Sequence, residues 1–155
     1  DLNMNKVDLA CSLGMDTGID LTSSYVEQIY RLTGCIGADG FIITASSPSS
    51  EILSTAFQMC RRKGRVVVVG EVGLDIKRAD ICPKELDFFI STPFEPGRYD
   101  QTYEEHGLDD PVTYVRWTEN HNMADYLRLV SEGYINVSKL ISATYALENA
   151  QSYCR

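Results

Sequence analysis

The pattern of apolar and polar positions in the first part of the chain predicts helices that alternate with short strands. Residues 5–13 place apolar side chains at helical spacing and are followed by Gly14, which is a common helix stop. Ser24 and Glu27 have the spacing of a capping box and predict a second helix that runs through Leu32. These two segments should each bury one face.

Three short apolar runs in the same region predict strands, at residues 18–21, 40–45 and 65–70. The last run contains four consecutive valines and therefore does not alternate. A run of this kind is typical of a parallel strand that is covered on both faces.

The segment between the second and third runs predicts a helix. Ser47 is the expected N-cap, Pro48 the first helical residue, and residues 52–60 carry an apolar stripe. Residues 61–63 are basic and are expected in the last helical turn, before Gly64 ends the helix. Strands and helices in this order indicate βαβ units and a parallel sheet.

The pattern is less regular beyond residue 73. Residues 88–90 predict a further strand, residues 92–110 a long loop, and residues 118–131 a helix that stops near Gly133. Residues 137–155 predict a short strand and the start of another helix. The apolar face of the helix at residues 118–131 is expected to consist of Met123, Leu127 and Val130.

Composition narrows the class of protein. With 44% hydrophobic and 23% charged residues, the 155-residue chain is expected to be globular, and a net charge of −8 disfavours nucleic acid as a partner. No apolar run reaches the length of a membrane helix. The five cysteines are odd in number and widely spaced, without a CxxC pair, which predicts reduced thiols in the cytoplasm and no zinc site.

Asp1 is the first candidate for ligand binding. In a dinucleotide-binding unit, an acidic residue at the end of the second strand binds the adenosine ribose, about 20 residues after a glycine-rich phosphate loop. Asp1 leads directly into the first predicted helix, as that residue would, and a carboxylate there favours NAD over NADP. The alternative is that Asp1 is an ordinary exposed residue.

The phosphate loop itself is not in the sequence. No GxGxxG occurs, and Gly34, Gly37 and Gly40 have a different spacing and lie after a helix and before a strand. We therefore expect a Rossmann-type α/β fold, a parallel sheet flanked by helices, truncated at its N-terminal side so that the first strand and the glycine-rich loop are absent. The run at residues 18–21 is then expected to pack beside the run at residues 40–45.

Several segments resemble one known family. Residues 1–14, 33–40 and 57–70 resemble the cofactor domain of zinc-type medium-chain dehydrogenases, such as alcohol and threonine dehydrogenases, although Met15 replaces the usual alanine. Residues 84–119 resemble the bi-domain oxidoreductases within that family. The sequence departs from their pattern at residues 91–95.

The resemblance implies roles for particular residues and parts of the chain. It implies that residues 1–133 are a partial dinucleotide-binding domain and that residues 134–155 begin the return toward a catalytic domain, which would hold the catalytic zinc outside this chain. It also implies an alcohol or carbonyl substrate, including that of a sugar nucleotide, and no activity for the fragment alone. The implied cofactor contacts are Asp1 and Lys6 at the ribose, Thr44 and Ala45 at the adenosine half, and Val69, Gly70, Glu71 and Ser91 near the nicotinamide.

Two questions stay open at the level of sequence. The chain could instead be a non-enzymatic α/β interaction or assembly piece that binds no cofactor, and an exposed sheet edge predicts a homo-oligomer in either case. A polar group in the second half could hold a substrate phosphate or sugar, or could be a salt-bridged loop. That group consists of Arg98, Asp100, Arg116, Trp117 and Glu119, while His106 and His121 are expected at the surface.

Overall fold

The computed structural model describes residues 1–21, 24–94 and 96–149. It divides the chain into two compact units, residues 1–93 and residues 94–155. The sequence-based boundary after residue 133 stays a prediction.

The first unit begins with two helices close to their predicted positions, α1 (Met4–Ser12) and α2 (Tyr25–Leu32). Asn3 caps α1 by accepting a hydrogen bond from the backbone N–H of Asn5 at 3.0 Å. Ser24 is the N-cap of α2 as predicted, but its side chain makes no capping hydrogen bond.

Within the described residues, three parallel strands form one sheet in the order β1 (Ala38–Ile43), β2 (Cys60–Val68) and β3 (Asp87–Ile90). Ile43 is paired with Val68, which is paired with Ile90, so the three strands end side by side. This arrangement confirms the predicted α/β class with a parallel, Rossmann-like sheet.

Helix α3 (Glu51–Met59) connects β1 to β2 and covers one face of the sheet. Leu53 and Phe57 are almost completely buried, and the Phe57 ring meets Phe88 of β3 edge-on, with 5.7 Å between the ring centroids. The buried core of this unit consists of Ile43, Leu53, Ala56, Phe57, Cys60, Val66, Val68 and Leu86.

The predicted start of α3 was wrong. The helix begins at Glu51, three residues after Pro48, because Ser47 is held by a different partner. The Ser47 backbone N–H donates to the carbonyl of Glu71 at 2.8 Å, and Ser47 forms an isolated parallel bridge with Val72. A long-range backbone contact thus overrides the local N-cap signal.

The predicted end of α3 was also wrong. Cys60 already has an extended backbone, so residues 61–63 lie in β2 rather than in the last helical turn. The pairing between the two strands is irregular here. Ala38 is paired with Cys60 and Gly40 with Arg65, so β2 contains more residues than β1 between these two pairs. Lys63 has a φ of +60° within this stretch.

The predicted strand at residues 18–21 does not form. Gly18 lies against α1, where an added Cβ would come within 2.2 Å of Val7 Cγ1. The strand predicted at residues 40–45, which is β1 in the structure, therefore lacks the neighbour that was expected from residues 18–21. Within the described residues, β1 is an edge strand that is hydrogen-bonded to β2 alone.

A short helix, α4 (Arg78–Ile81), and a 3-10 turn at Cys82–Lys84 connect β2 to β3. Lys84 extends from this turn to the C-terminus of α3, where its ammonium donates to the carbonyls of Phe57 at 3.1 Å and Cys60 at 2.7 Å and to that of Gln58. The predicted strand at residues 88–90 is confirmed by β3.

The second unit contains a four-residue helix, α5 (Gln101–Glu104), inside the stretch predicted as a loop, and a longer helix, α6 (Glu119–Ser131), close to its predicted position. The first turn of α6 is held by tertiary contacts, because Glu119 N–H donates to the carbonyl of Pro96 and Asn120 N–H to the Tyr103 hydroxyl.

One further prediction for this unit was wrong, that of the strand near residue 137. Met123 and Leu127, from the expected apolar face of α6, are 56% and 65% exposed within the described residues. The predicted strand after residue 137 is replaced by 3-10 turns at Ser138–Leu140 and Leu147–Asn149, and residues 150–155 of the predicted last helix lie outside the described residues. No helix in the described part is long and apolar enough to cross a membrane.

Candidate functional site

The carboxyl ends of the three strands place several predicted site residues in one row. Thr44, Val69 and Ser91 each directly follow a strand. The backbone N–H of Val69 donates to Ile43 at 2.9 Å, and that of Ser91 donates to Val68 at 2.8 Å. Ligands of open α/β sheets bind at this edge, so the row has the position that a ligand site requires.

Glycines allow the first two of these strand-end loops to touch. A Cβ on Gly70 would come within 2.1 Å of the carbonyl oxygen of Ala45, and a Cβ on Gly73 within 2.5 Å of the carbonyl oxygen of Pro48. A bond from Gly73 N–H to the Ser47 carbonyl at 3.2 Å adds to this contact. The loops therefore support each other, and the position of Ala45 depends on the absence of a side chain at residue 70.

A cavity of about 920 Å³ opens beside β1 in the first unit and brings four predicted residues together. Asp1 and Lys6 from the start of α1 line it, and so do Thr44 and Ala45 from the end of β1. Val69, Gly70, Glu71 and Ser91 do not line this cavity, although the row at the strand ends places them near one another.

Asp1 is oriented by its own chain. Its Oδ1 accepts a hydrogen bond from the backbone N–H of Asn3 at 2.9 Å, and Oδ2 has no partner among the described residues. Lys6, in the first turn of α1, is exposed and forms no described ion pair. The cavity lining thus offers one acceptor and one cation, the pair that adjacent sugar hydroxyls can bridge.

Most of the cavity wall is apolar, and sequence reasoning did not identify it as part of the site. Its apolar lining includes Val7, Ile19 and Ile29 together with Phe41 and Ile43 of β1. Ile19 and Leu21 line the cavity, but they were assigned to a predicted strand at residues 18–21 that does not form. Ser46 also lines the cavity next to Ala45.

The described residues contain no group of three or more His, Cys, Asp or Glu side chains that could hold a metal ion. Cys11, Cys35, Cys60 and Cys82 are free thiols. Burial raises the pKa of the Cys60 thiol, and nearby Lys84 opposes that shift only in part. The donor set of the described residues therefore does not fit a zinc site.

The polar residues of the second half that were considered as one possible site lie in different environments. Arg98 is paired with Glu104 and lies over the rings of Phe94 and Tyr99. Asp100 caps α5 through the N–H groups of Thr102 and Tyr103. These residues fit the salt-bridged loop. Arg116 lies over the Trp117 ring at 5.5 Å from its centroid and has no carboxylate partner among the described residues.

Comparison with known proteins agrees with this geometry. A family profile described as zinc-binding dehydrogenase matches residues 1–106. No curated protein matches the sequence.

Solved structures with the same fold are considerably longer than this chain. An alcohol dehydrogenase from Thermus sp. aligns with a TM-score of 0.68 and 21% identity, over 99% of this chain and 38% of its own. Benzyl alcohol dehydrogenase from Acinetobacter calcoaceticus aligns with a TM-score of 0.66 and 19% identity, over 98% and 36%. An NAD-dependent alcohol dehydrogenase aligns with a TM-score of 0.60 and 19% identity, over 84% of this chain and 32% of its own. The chain spans only 32–38% of the length of these three proteins, and at these identities the likeness shows the fold.

Proposed function

The chain belongs to the zinc-binding dehydrogenase family, and on this premise we propose that it is the NAD(H)-binding portion of an alcohol or polyol dehydrogenase. The complete protein would transfer hydride between the nicotinamide and an alcohol or carbonyl, which includes the sugar part of a sugar nucleotide. The glycine-rich phosphate loop and the catalytic zinc would be supplied by residues outside this chain, and the fragment alone would be inactive.

The observation that carries the proposal is the convergence of Asp1, Lys6, Thr44 and Ala45 on one cavity at the carboxyl end of a parallel strand. Asp1 and Lys6 are separated in sequence from Thr44 and Ala45 by α2 and β1. The fold brings the two pairs to one cavity at the carboxyl end of a strand, and this is the edge at which α/β sheets bind nucleotides. The position of the cavity supports the adenosine half of a dinucleotide as its ligand.

Each residue has a role that its chemistry allows. The free Oδ2 of Asp1 would accept a hydrogen bond from a hydroxyl of the adenosine ribose, and Lys6 would donate to the same sugar. The exposed Thr44 and Ala45 would contact the adenine, while Val69, Gly70, Glu71 and Ser91 would position the nicotinamide farther along the row. The bound dinucleotide would supply the hydride chemistry.

Nucleotide selectivity tests this proposal. NAD carries a ribose hydroxyl where NADP carries a phosphate, and the Asp1 carboxylate would repel that phosphate. Replacing Asp1→Gly should reduce the preference for NADH over NADPH at least about tenfold, or roughly 1.4 kcal/mol. The measurement is the ratio of the two dissociation constants by calorimetry, on the full-length protein that contains these residues.

Asp16→Gly is the matched control, because Asp16 is an exposed acid in the turn after α1 and does not line the cavity. An unchanged ratio in Asp1→Gly would show that Asp1 does not select the nucleotide. Absence of binding for both nucleotides would favour the alternative, a non-enzymatic interaction piece.

We further propose that the protein is cytoplasmic and acts as a homo-oligomer. The four described cysteines are unpaired thiols, which is typical of a reducing compartment. The exposed edge of β1 supports association between copies.

A further inference from the structure

A second cavity lies entirely within the unit formed by residues 94–155 and is separate from the residues proposed to bind the dinucleotide. Its volume of about 480 Å³ is in the range of small-ligand sites. Apolar and cationic side chains predominate in its wall, which includes Val112, Arg116, Trp117, His121, Asp125 and Arg128.

Arg116 is the distinctive group in this cavity. Its guanidinium lies over the Trp117 ring and has no carboxylate partner among the described residues. The other two arginines described in this unit are both neutralised, Arg98 by Glu104 and Arg128 by two acids. In an acidic chain, a guanidinium that is placed by an aromatic ring and not paired with an acid retains all of its donors for a ligand.

Two neighbouring groups are fixed beside it. The Arg128 Nε and Nη2 donate to Asp125 Oδ1 at 3.0 and 2.8 Å, and its Nη1 donates to Glu132 at 2.6 Å, so this guanidinium has a set orientation. His121 Nδ1 is 2.9 Å from the hydroxyl of Thr118, which is completely buried. These contacts limit rearrangement when a ligand enters.

The carboxylates near the cavity determine which ligand charge it accepts. Among the described residues, Asp125 is the one carboxylate that lines the cavity, and it is paired with Arg128. Glu132, which also contacts Arg128, and Asp109, which is 3.6 Å from His121, do not line it. The cation left over is Arg116, so one anionic group can be accommodated there. Arginine binds carboxylate and phosphate oxygens in the same forked geometry.

We propose that this cavity binds a small organic anion with a single carboxylate or phosphate group. Its carboxylate or phosphate is held by Arg116, and its ring or hydrocarbon part lies against Val112 and Trp117. The site goes beyond the dinucleotide function, and its presence does not depend on that function.

Trp117 makes the test specific, because it is the only tryptophan in the chain. Benzoate, phenyl phosphate and the neutral benzyl alcohol are each titrated into the full chain at constant ionic strength. Tryptophan fluorescence is followed, and calorimetry provides a second measurement that does not depend on the indole. We expect saturable binding of at least one of the two anions, and the tighter anion identifies the ligand group.

Arg116→Gln should weaken that binding at least about tenfold by calorimetry, the loss expected for a charge-assisted contact. Arg31→Gln is the matched control, since Arg31 is an exposed arginine of α2 without a described ion pair, and it should bind as the parent chain does. The proposal is overturned if neither anion saturates, if benzyl alcohol binds as tightly as the anions, or if Arg116→Gln has no effect. An unchanged NADH affinity in Arg116→Gln would separate this site from the dinucleotide site.

Discussion

At the scale of single residues, Glu85 combines an unusual backbone with a strong electrostatic environment. Its φ of +50° lies in the left-handed region, at the end of the turn that precedes β3. Its carboxylate joins Lys63 and Arg62 from the irregular part of β2, and the hydrogen bond from Lys63, followed by that from Arg62, lowers its pKa to about 2. The ion pairs thus connect two segments that both depart from regular geometry.

This lowered pKa predicts a particular dependence of stability on pH. In the unfolded chain Glu85 should titrate near its ordinary value of 4.5, and in the folded chain near 2. A depressed folded pKa contributes stability that is complete above the unfolded value and is lost as the pH falls from 4.5 toward 2. Glu85→Gln should therefore lower the urea midpoint at pH 7, with a difference that disappears by pH 2.

High salt should reduce the same difference at pH 7, because the three side chains are partly exposed. Glu27→Gln is a suitable control, since Glu27 forms no described ion pair and should show a much weaker dependence on pH. A Glu85→Gln difference that stays constant from pH 7 to pH 2 would contradict this account.

At the scale of secondary-structure elements, the C-terminus of α3 is closed by a side chain from outside the helix. The last carbonyls of a helix have no hydrogen-bond donor within the helix. Here the Lys84 ammonium donates to the carbonyls of Phe57, Gln58 and Cys60. The Tyr30 hydroxyl of α2 also donates to Gln58 at 2.8 Å. A cation at this end also interacts favourably with the helix dipole.

Replacing Lys84→Met should destabilise the first unit by about 1–3 kcal/mol, because the hydrocarbon stem is kept while the carbonyls lose their donor. Lys77→Met, at an exposed position without a described partner, should change stability by less than about 0.5 kcal/mol. The measurement is chemical denaturation of the three proteins. Equal stabilities for all three would show that the Lys84 contacts contribute nothing net.

The same elements show what sequence could and could not predict. The helices α1 and α2, which have helical spacing or a capping pair in the sequence, were predicted within a few residues, and Thr44 lies at the carboxyl edge of the sheet where it was expected. The errors at Ser47 and Cys60 arose because contacts distant in sequence, to Val72 and to Ala38, displaced the local capping signals. The apolar wall of the large cavity could not be predicted, because it depends on residues 18–21 packing on α1.

At the scale of the whole molecule, the described sheet ends at an unpaired strand. β1 has β2 on one side, and Ile42 within it is 73% exposed. An exposed edge with an apolar side chain invites pairing with another chain unless it is covered. The residues from Phe41 to Thr44 on this edge strand also line the large cavity.

Light scattering of the pure 155-residue chain should accordingly show a species larger than a monomer. Ile42→Lys should shift it toward the monomer, because a charge on an edge strand opposes pairing. Ile36→Lys, which places the same charge at a 69% exposed residue just before β1, should leave the association unchanged. A stable monomer with a cooperative thermal transition would refute the prediction.

The order of the strands also affects how the sheet can fold while the chain is being synthesised. Because β1, β2 and β3 are neighbours in space in the same order as in sequence, each strand can dock on the one synthesised just before it. No pairing in the described sheet requires a residue beyond Ser91, so this sheet can assemble on the ribosome before the second unit has emerged. Within the described residues, the sheet can therefore grow in one direction, from β1 toward β3.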